Sequence, residues 1–257
     1  MTARTVVVTG ASSGIGVALA TQLGARGDRV VLAARREADL RAVAERIGAN
    51  ALAVVTDVTR RRDVERLRDE AIGAFGGIDV WVNNAGRGIS KPVLDLTDDE
   101  FEEMMAVNAK SALYGMQAAV RHFIDRGGKG HIINVSSLLS RVPMATFRSV
   151  YSAAKAALNA LTANLRVDLA SAHPDIAVTL VMPSLVKTDF FEHALHGTPP
   201  LPPSAGGASW QEADEVAAAI VGVIDHPVAE LYTHPGHLPL VRRYFEDVGA
   251  FERGLRR

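Results

Sequence analysis

The sequence predicts an α/β fold in which helices cover both faces of a doubly wound, mostly parallel sheet of seven strands. Short runs rich in β-branched residues alternate with longer stretches rich in Ala, Leu and Arg. Most of these runs are apolar nearly throughout, which is typical of strands buried on both faces. Alternating strands and helices imply parallel strands joined by helical crossovers, so the two observations together indicate the doubly wound class.

Seven runs are the predicted strands, and the last has the weakest pattern. They are TVVVTG (5–10), RVVLAAR (29–35), ALAVVTDV (51–58), IDVWVNNAG (78–86), HIINVSS (131–137), IAVTLVMPS (176–184) and AELYTH (229–234). Helical patterns lie between them, most clearly GVALATQLGARG (16–27), RDVERLRDEAIGAFG (62–76), DDEFEEMMAVNAKSALYGMQAAVRHFIDRG (98–127) and the alanine-rich AALNALTANLRVDLA (156–170).

A single domain over residues 1–257 accommodates these elements, because an apolar content of 48% supports one large core. The segment HGTPPLPPSAGGAS (196–209) contains too much Pro and Gly to form an element. We therefore expect a substrate loop near 189–210. The Arg-rich end of the tail 238–257, LVRRYFEDVGAFERGLRR (240–257), predicts an amphipathic helix that is solvated, packs on a partner subunit or touches an anionic surface.

Composition excludes several classes of function. The 28 basic and 29 acidic residues nearly balance, which argues against a nucleic-acid-binding protein. The chain has no Cys, and its His residues lack ligand spacing, so we expect no metal site. The apolar run near the N-terminus is too short for a signal peptide or a membrane span. We expect a cytoplasmic protein.

A glycine-rich turn joins the first strand to the first helix. Gly10, Gly14 and Gly16 follow the spacing G-x-x-x-G-x-G, with Ser12, Ser13 and Ile15 between them. Such glycines permit a tight turn, close approach of a pyrophosphate, and packing of helix on strand, while the helix N-terminus offers N–H groups to the anion. The pattern predicts a Rossmann-like dinucleotide site; a purely structural turn is the alternative.

The second strand ends in two arginines where an NAD site usually has a carboxylate for the ribose 2′-hydroxyl. Arg35 and Arg36 favour a 2′-phosphate instead, because a guanidinium binds phosphate through two hydrogen bonds. We therefore predict that NADP(H) is preferred over NAD(H). The alternative is that both arginines are solvated residues at the start of a helix, and Glu37 lies close to both.

Seven short motifs resemble the short-chain dehydrogenase/reductase family in its common single-domain form, over roughly residues 4–190. They are TGASSGIG (9–16), DV (57–58), NNAG (83–86), Asn108 in VNAKSALYG, NVSS (134–137), YSAAK (151–155) and PSLVKT (183–188), in the order of the family and at similar intervals.

The resemblance implies three further groups of cofactor-binding residues. Asp57, with Val58, resembles the acid that hydrogen-bonds the adenine amino group; a turn or cap residue is the alternative. The turn Asn83–Gly86, including Asn84 and Ala85, resembles the one that lies against the adenosine ribose. Pro183, Val186 and Thr188 resemble the segment that binds the nicotinamide carboxamide. In that segment Ser184 stands where the family usually has Gly, which would be strained only at positive φ.

The resemblance also implies a catalytic group of Asn108, Ser137, Tyr151 and Lys155. Tyr151 and Lys155 are four residues apart and share one face of a helix. A free phenol has a pKa of roughly 10, and we expect the Lys155 ammonium to lower it so that Tyr151 acts as general acid/base. Lys155 would also hold the nicotinamide ribose, Ser137 the substrate oxygen, and Asn108 a relay water. Because the interval from Ser137 to Tyr151 is one residue longer than is commonest, Ser136 stays an alternative.

These residues predict an NADP(H)-dependent oxidoreductase that interconverts a carbonyl and a secondary alcohol. Its partners would be a small-molecule substrate and further copies of the chain, as a homodimer or homotetramer. One alternative is a catalytically silent protein that senses NADP(H), against which the intact Ser, Tyr, Lys and Asn argue. Another is a sugar-nucleotide epimerase-like enzyme, although only about 70 residues follow residue 187, fewer than such enzymes usually use for their substrate domain.

Overall fold

The structure is a computed structural model that describes residues 3–197 and 210–255. Its strands are β1 (Thr5–Thr9), β2 (Arg29–Ala34), β3 (Ala51–Val55), β4 (Val80–Asn83), β5 (Gly130–Val135), β6 (Ile176–Met182), β7 (Val186–Lys187), β8 (Gln211–Glu212) and β9 (Glu230–Tyr232). Its α-helices are α1 (Gly14–Ala25), α2 (Glu37–Ile47), α3 (Arg61–Phe75), α4 (Asp98–Met105), α5 (Ser111–Asp125), α6 (Ser149–Leu169), α7 (Ala213–Asp225), α8 (His237–Glu246) and α9 (Val248–Gly254).

The predicted seven-stranded sheet is confirmed. Its order is β3-β2-β1-β4-β5-β6-β9, and every neighbouring pair is parallel. The order reverses direction beside β1, which is the switch point where open α/β sheets bind ligands. A separate parallel pair of two residues per strand, β7 and β8, was not expected from the sequence.

The apolar strands contribute side chains to two hydrophobic cores, one on each face of the sheet. In β1, Val6 and Val8 belong to the core beneath α1, α2 and α7, whereas Val7 belongs to the core beneath α3, α5 and α6. All three are fully buried. Alternate side chains of one strand thus enter opposite cores, and the continuous apolar run follows from burial on both faces.

Two helical predictions need correction. The pattern over 98–127 is interrupted by a π-helical turn at Ala106–Lys110, which separates α4 from α5. The tail forms two short helices, because Asp247 leaves helical geometry and its side chain caps α9 by accepting a hydrogen bond from Ala250 N at 2.8 Å. Of the expected loop 189–210, residues 198–209 lie outside the described residues. Within the described ranges, no helix is both long and apolar enough to span a bilayer.

Candidate active site

The predicted site residues gather at the carboxyl edge of the sheet, because parallel strands all end there. They lie on the turns that follow β1 to β6, on the π-helical turn, and on the first turns of α6. The edge therefore joins side chains that are far apart in sequence.

The glycine turn after β1 has the geometry of an anion cradle. Gly10 and Gly14 have φ of +68° and +52°, a region that favours glycine. A Cβ at Gly16 would lie 2.2 Å from the carbonyl oxygen of Gly10, so only glycine fits there. Ser13 begins α1 without a side-chain cap, which leaves the N–H groups of the first turn directed toward the cradle. These residues fit a dinucleotide pyrophosphate.

Thr9 and Asn84 fix the turn after β4 against the turn after β1. Thr9 Oγ1 accepts hydrogen bonds from the backbone N–H groups of Asn84 and Ala85, at 3.0 and 3.1 Å. The Asn84 side chain donates to the carbonyl oxygen of Thr9 at 3.0 Å. The sequence motifs assigned no role to Thr9, although its hydroxyl holds the two cofactor turns together.

The side chain of Asp57 stabilises the turn after β3 by accepting hydrogen bonds. Its carboxylate accepts hydrogen bonds from the Thr59 backbone N–H at 3.0 Å and from the Thr59 hydroxyl at 2.7 Å. Burial raises the pKa of Asp57, but the Thr59 hydrogen bonds and the charges of Arg35 and Arg60 outweigh it, so the pKa lies below its ordinary value. These bonds are those expected if Asp57 is a turn residue, which was the alternative to an adenine contact. Val58 is half-buried against the core below α3.

Asn108 lies in the π-helical turn and binds the backbone of the β4 turn. Its side chain donates to the carbonyl oxygen of Arg87 at 2.9 Å and accepts from the Arg87 N–H at 3.1 Å. A Cβ at Gly86 would lie 2.9 Å from Asn108 Oδ1 and 3.5 Å from Lys155 Nζ. Gly86 thus allows Asn108 and Lys155 to approach the same turn.

Of the two candidate serines, Ser137 is the one that the structure brings to Tyr151. The Ser137 hydroxyl is placed beside the phenol of Tyr151, where it acts to lower the pKa of that group, and Ser137 Oγ accepts from Leu139 N at 3.2 Å. Ser136 Oγ instead lies 2.6 Å from Asn159 Oδ1, on the inner side of α6. The extra residue in the interval is absorbed between β5 and α6.

Tyr151 and Lys155 occupy one buried face of α6, with 7% and 4% of each residue exposed. Lys155 Nζ lies 5.9 Å from the centroid of the Tyr151 ring and donates to the carbonyl oxygen of Val135 at 2.8 Å. The end of β5 therefore holds the ammonium in place beside the phenol.

Burial decides the protonation of both groups. It raises the pKa of Tyr151, against the opposing effects of the Ser137 hydrogen bond and the Arg148 charge, and it lowers the pKa of Lys155 to about 8. The direction for Tyr151 differs from our expectation, because the cost of burying a phenolate exceeds the stabilisation that Ser137 and the Arg148 charge supply, and Lys155 is not among the groups that lower this pKa. Tyr151 is therefore protonated near neutral pH and ready to donate.

The segment 183–188 closes the site opposite the glycine turn. The Pro183 carbonyl oxygen accepts from Leu138 N at 2.8 Å, and Val186 is buried in β7. A Cβ at Gly14 would lie 2.9 Å from Thr188 Cγ2, so Thr188 faces the cradle. Ser184 is unstrained, since His196 is the one non-glycine residue with positive φ among those the structure describes.

Beyond this segment a chain of aromatic rings leads away from Tyr151. Ring centroids are 5.5 Å apart for Tyr151 and Phe190, 5.9 Å for Phe190 and Phe191, and 5.4 Å for Phe191 and Trp210. The rings thus form a continuous row of apolar contacts that begins at the phenol. Within residues 3–197 and 210–255, no group of three or more His, Asp or Glu side chains is placed to hold a metal ion.

The sheet order and the glycine turn define a Rossmann-like protein. A model of the short chain dehydrogenase family matches residues 4–198. The chain therefore belongs to the short-chain dehydrogenase family.

Individual proteins agree with this membership. The chain is 34% identical over 232 residues to the uncharacterized oxidoreductase YxnA of Bacillus subtilis (strain 168), a match that covers 89% of this chain and 65% of that protein. It thus spans slightly less than two thirds of that relative's length.

Solved structures are similar as well. A short-chain dehydrogenase/reductase from Burkholderia phymatum in complex with NAD has a TM-score of 0.86 and 25% identity, over 96% of this chain and 94% of that chain. An alcohol dehydrogenase from the archaeon Thermococcus sibiricus complexed with 5-hydroxy-NADP has a TM-score of 0.77 and 28% identity, over 90% of this chain and 96% of that chain.

Proposed function

We propose that the protein is an NADP(H)-dependent oxidoreductase that interconverts a carbonyl and a secondary alcohol, with Tyr151 as general acid/base. The bound nicotinamide supplies or accepts the hydride. Tyr151 donates the proton to the carbonyl oxygen in reduction and removes it from the alcohol in oxidation. Ser137 holds the same oxygen, and Lys155 places a positive charge beside the phenol.

One observation carries the proposal. The Ser137 hydroxyl is placed beside the phenol of a buried Tyr151, and Lys155, on the same face of α6, stands beside Gly86 in the turn after β4. A donor pair, a cation and a dinucleotide cradle thus meet at one place, as hydride and proton transfer to a single carbonyl requires. A phenol that is protonated at neutral pH is in the form that reduction requires.

The experiment compares wild type with Tyr151→Phe, which removes only the hydroxyl. NADPH oxidation is followed against a panel of ketones, aldehydes, quinones, 3-oxoacyl esters and steroids. We expect wild type to turn over at least one class and the variant to lose about 100-fold or more in kcat, while NADPH fluorescence shows unchanged cofactor binding.

Tyr114→Phe is the matched control, because Tyr114 lies in α5 with its ring on Arg61 of α3, and we expect it to keep its activity. Near-normal turnover by Tyr151→Phe would contradict the proposed mechanism. Tight NADPH binding by wild type without turnover of any compound would favour the sensing protein instead.

We also propose that copies of the chain associate as a homodimer or homotetramer through α5 and α6. Apolar side chains on these helices face solvent in the single chain: Ile124 is 38% exposed and Val167 is 75% exposed. Sedimentation velocity at micromolar concentration should show a species heavier than the 27.4 kDa chain. A monomer alone would contradict this assembly.

A further inference from the structure

A second buried cation stands beside Tyr151. Arg148 immediately precedes α6, three residues before Tyr151, and only 2% of it is exposed. Burial lowers the pKa of its guanidinium, but an arginine in a protein keeps its proton. A permanent positive charge is therefore held inside the protein at this place.

Packing fixes the position of that charge. The guanidinium carbon of Arg148 lies 5.4 Å from the ring centroid of Phe147, 5.9 Å from that of Phe190 and 5.4 Å from that of Phe191. Its Nη1 donates to the carbonyl oxygen of Ile89 at 3.1 Å. Because Tyr151 packs on the same Phe190 ring, the guanidinium and the phenol share one apolar environment, in which a charge acts strongly.

The elements packed around Tyr151 carry other charged groups as well. Lys155, on the same helix, donates to Val135. From α4, Glu100 pairs with Lys91 and His196, and Glu103 pairs with Arg87. From the turn after β5, Arg141 pairs with Glu230. From the segment after β7, the exposed residues are Asp189, Glu192 and His193.

We propose that the fixed charge of Arg148 acts through Tyr151 as a second electrostatic group for proton transfer, alongside Lys155. Arg148 is then a positioning residue that stabilises the phenolate form of Tyr151. This inference rests on the proposed role of Tyr151 as acid/base. It agrees with the electrostatics of the site, where the Arg148 charge opposes the rise that burial causes in the pKa of Tyr151.

The test measures the pH dependence of kcat/KM for alcohol oxidation, which needs the basic form of Tyr151. Arg148→Gln removes the charge but keeps a donor for the Ile89 carbonyl, Arg148→Met removes both, and Arg148→Lys keeps the charge. We expect the midpoint of the kcat/KM profile to move upward by about one pH unit in the Gln and Met variants. In the Lys variant it should stay near the wild-type value. Arg141→Met, which removes a half-buried arginine that pairs with Glu230, should not move this midpoint.

A second readout does not depend on turnover. The ultraviolet absorbance of tyrosinate, taken as the difference between each protein and its Tyr151→Phe counterpart, isolates Tyr151 from the other three of the four tyrosines. The Gln variant should shift this titration upward as well. The inference would be overturned by unchanged midpoints in the Gln and Met variants, or by a shift in the Lys variant equal to theirs. Either result would leave the proposed role of Tyr151 intact. Turnover that survives Tyr151→Phe would instead refute the proposed function.

Discussion

Arg36 reaches from the end of β2 back to the glycine turn. Its Nε and Nη2 lie 3.3 and 3.2 Å from Ser12 Oγ, and Nη2 lies 3.2 Å from the Ser12 carbonyl oxygen. An ion pair with Asp39 at 3.2 Å holds the guanidinium from the other side. The cation therefore stands next to the cradle, where it would be available to pair with a 2′-phosphate, and this position supports the proposed preference for NADP(H).

Replacing Arg36 with Gln tests this preference. We expect the NADPH dissociation constant to rise about tenfold, because a charge-assisted pair with phosphate is lost, while the NADH constant stays nearly unchanged. Both are measured by fluorescence titration. Arg41→Gln is the control, since Arg41 is exposed and pairs with Glu37 on α2. A wild type that binds NADH as tightly as NADPH would exclude the preference, and so would equal weakening of both cofactors in the variant.

At the scale of elements, the strands were predictable because burial on two faces leaves a continuous apolar run. The same reasoning could not find β7 and β8, since two-residue strands have no periodicity. The π-helical turn could not be predicted from the sequence either, because one inserted residue barely changes a pattern that repeats every 3.6 residues. Asn108 in this turn bonds the Arg87 backbone, a contact distant in sequence that no local pattern reveals.

The candidate site was predictable where its parts are close in sequence. Gly10, Gly14 and Gly16 follow from the pattern of the turn. Helical spacing predicts only that Tyr151 and Lys155 share a face, and their proposed roles come from the family resemblance. The choice between Ser136 and Ser137 could not be made from the sequence, because it depends on which of the two serines faces Asn159 in the folded protein. The sequence did not single out Arg148, because an arginine before a helix is ordinarily solvated. Its burial depends on tertiary packing, which includes the rings of Phe190 and Phe191.

At the scale of the whole molecule, His131 links the stability of the sheet to pH. It lies in β5, is 5% exposed, and its Nε2 lies 2.8 Å from Thr179 Oγ1. Because the Thr179 hydroxyl donates to the Val228 carbonyl oxygen at 2.6 Å, His131 Nε2 is the donor in its bond to Thr179. His131 Nδ1 has no hydrogen-bond partner among the described residues, so a proton there would place an uncompensated charge in the core. Burial, with a smaller effect of Arg4, accordingly lowers the pKa of His131 to about 4.

We expect this histidine to contribute to acid destabilisation between pH 6.5 and 4. In that range the unfolded chain binds a proton at His131, whose ordinary pKa is 6.5, and the folded chain does not until about pH 4. The unfolded state holds more protons, so the free energy of unfolding must rise with pH, by up to about 1.4 kcal/mol per pH unit for one group. Urea unfolding at several pH values should therefore show a shallower slope for His131→Gln than for wild type. Loss of the hydrogen bond to Thr179 would lower the free energy of unfolding by a constant amount of about 1 kcal/mol at every pH. The slope of that free energy against pH is therefore the diagnostic quantity. His226→Gln, at an exposed position, should keep the wild-type slope, and a His131→Gln protein with the full slope would show that His131 is not the group responsible.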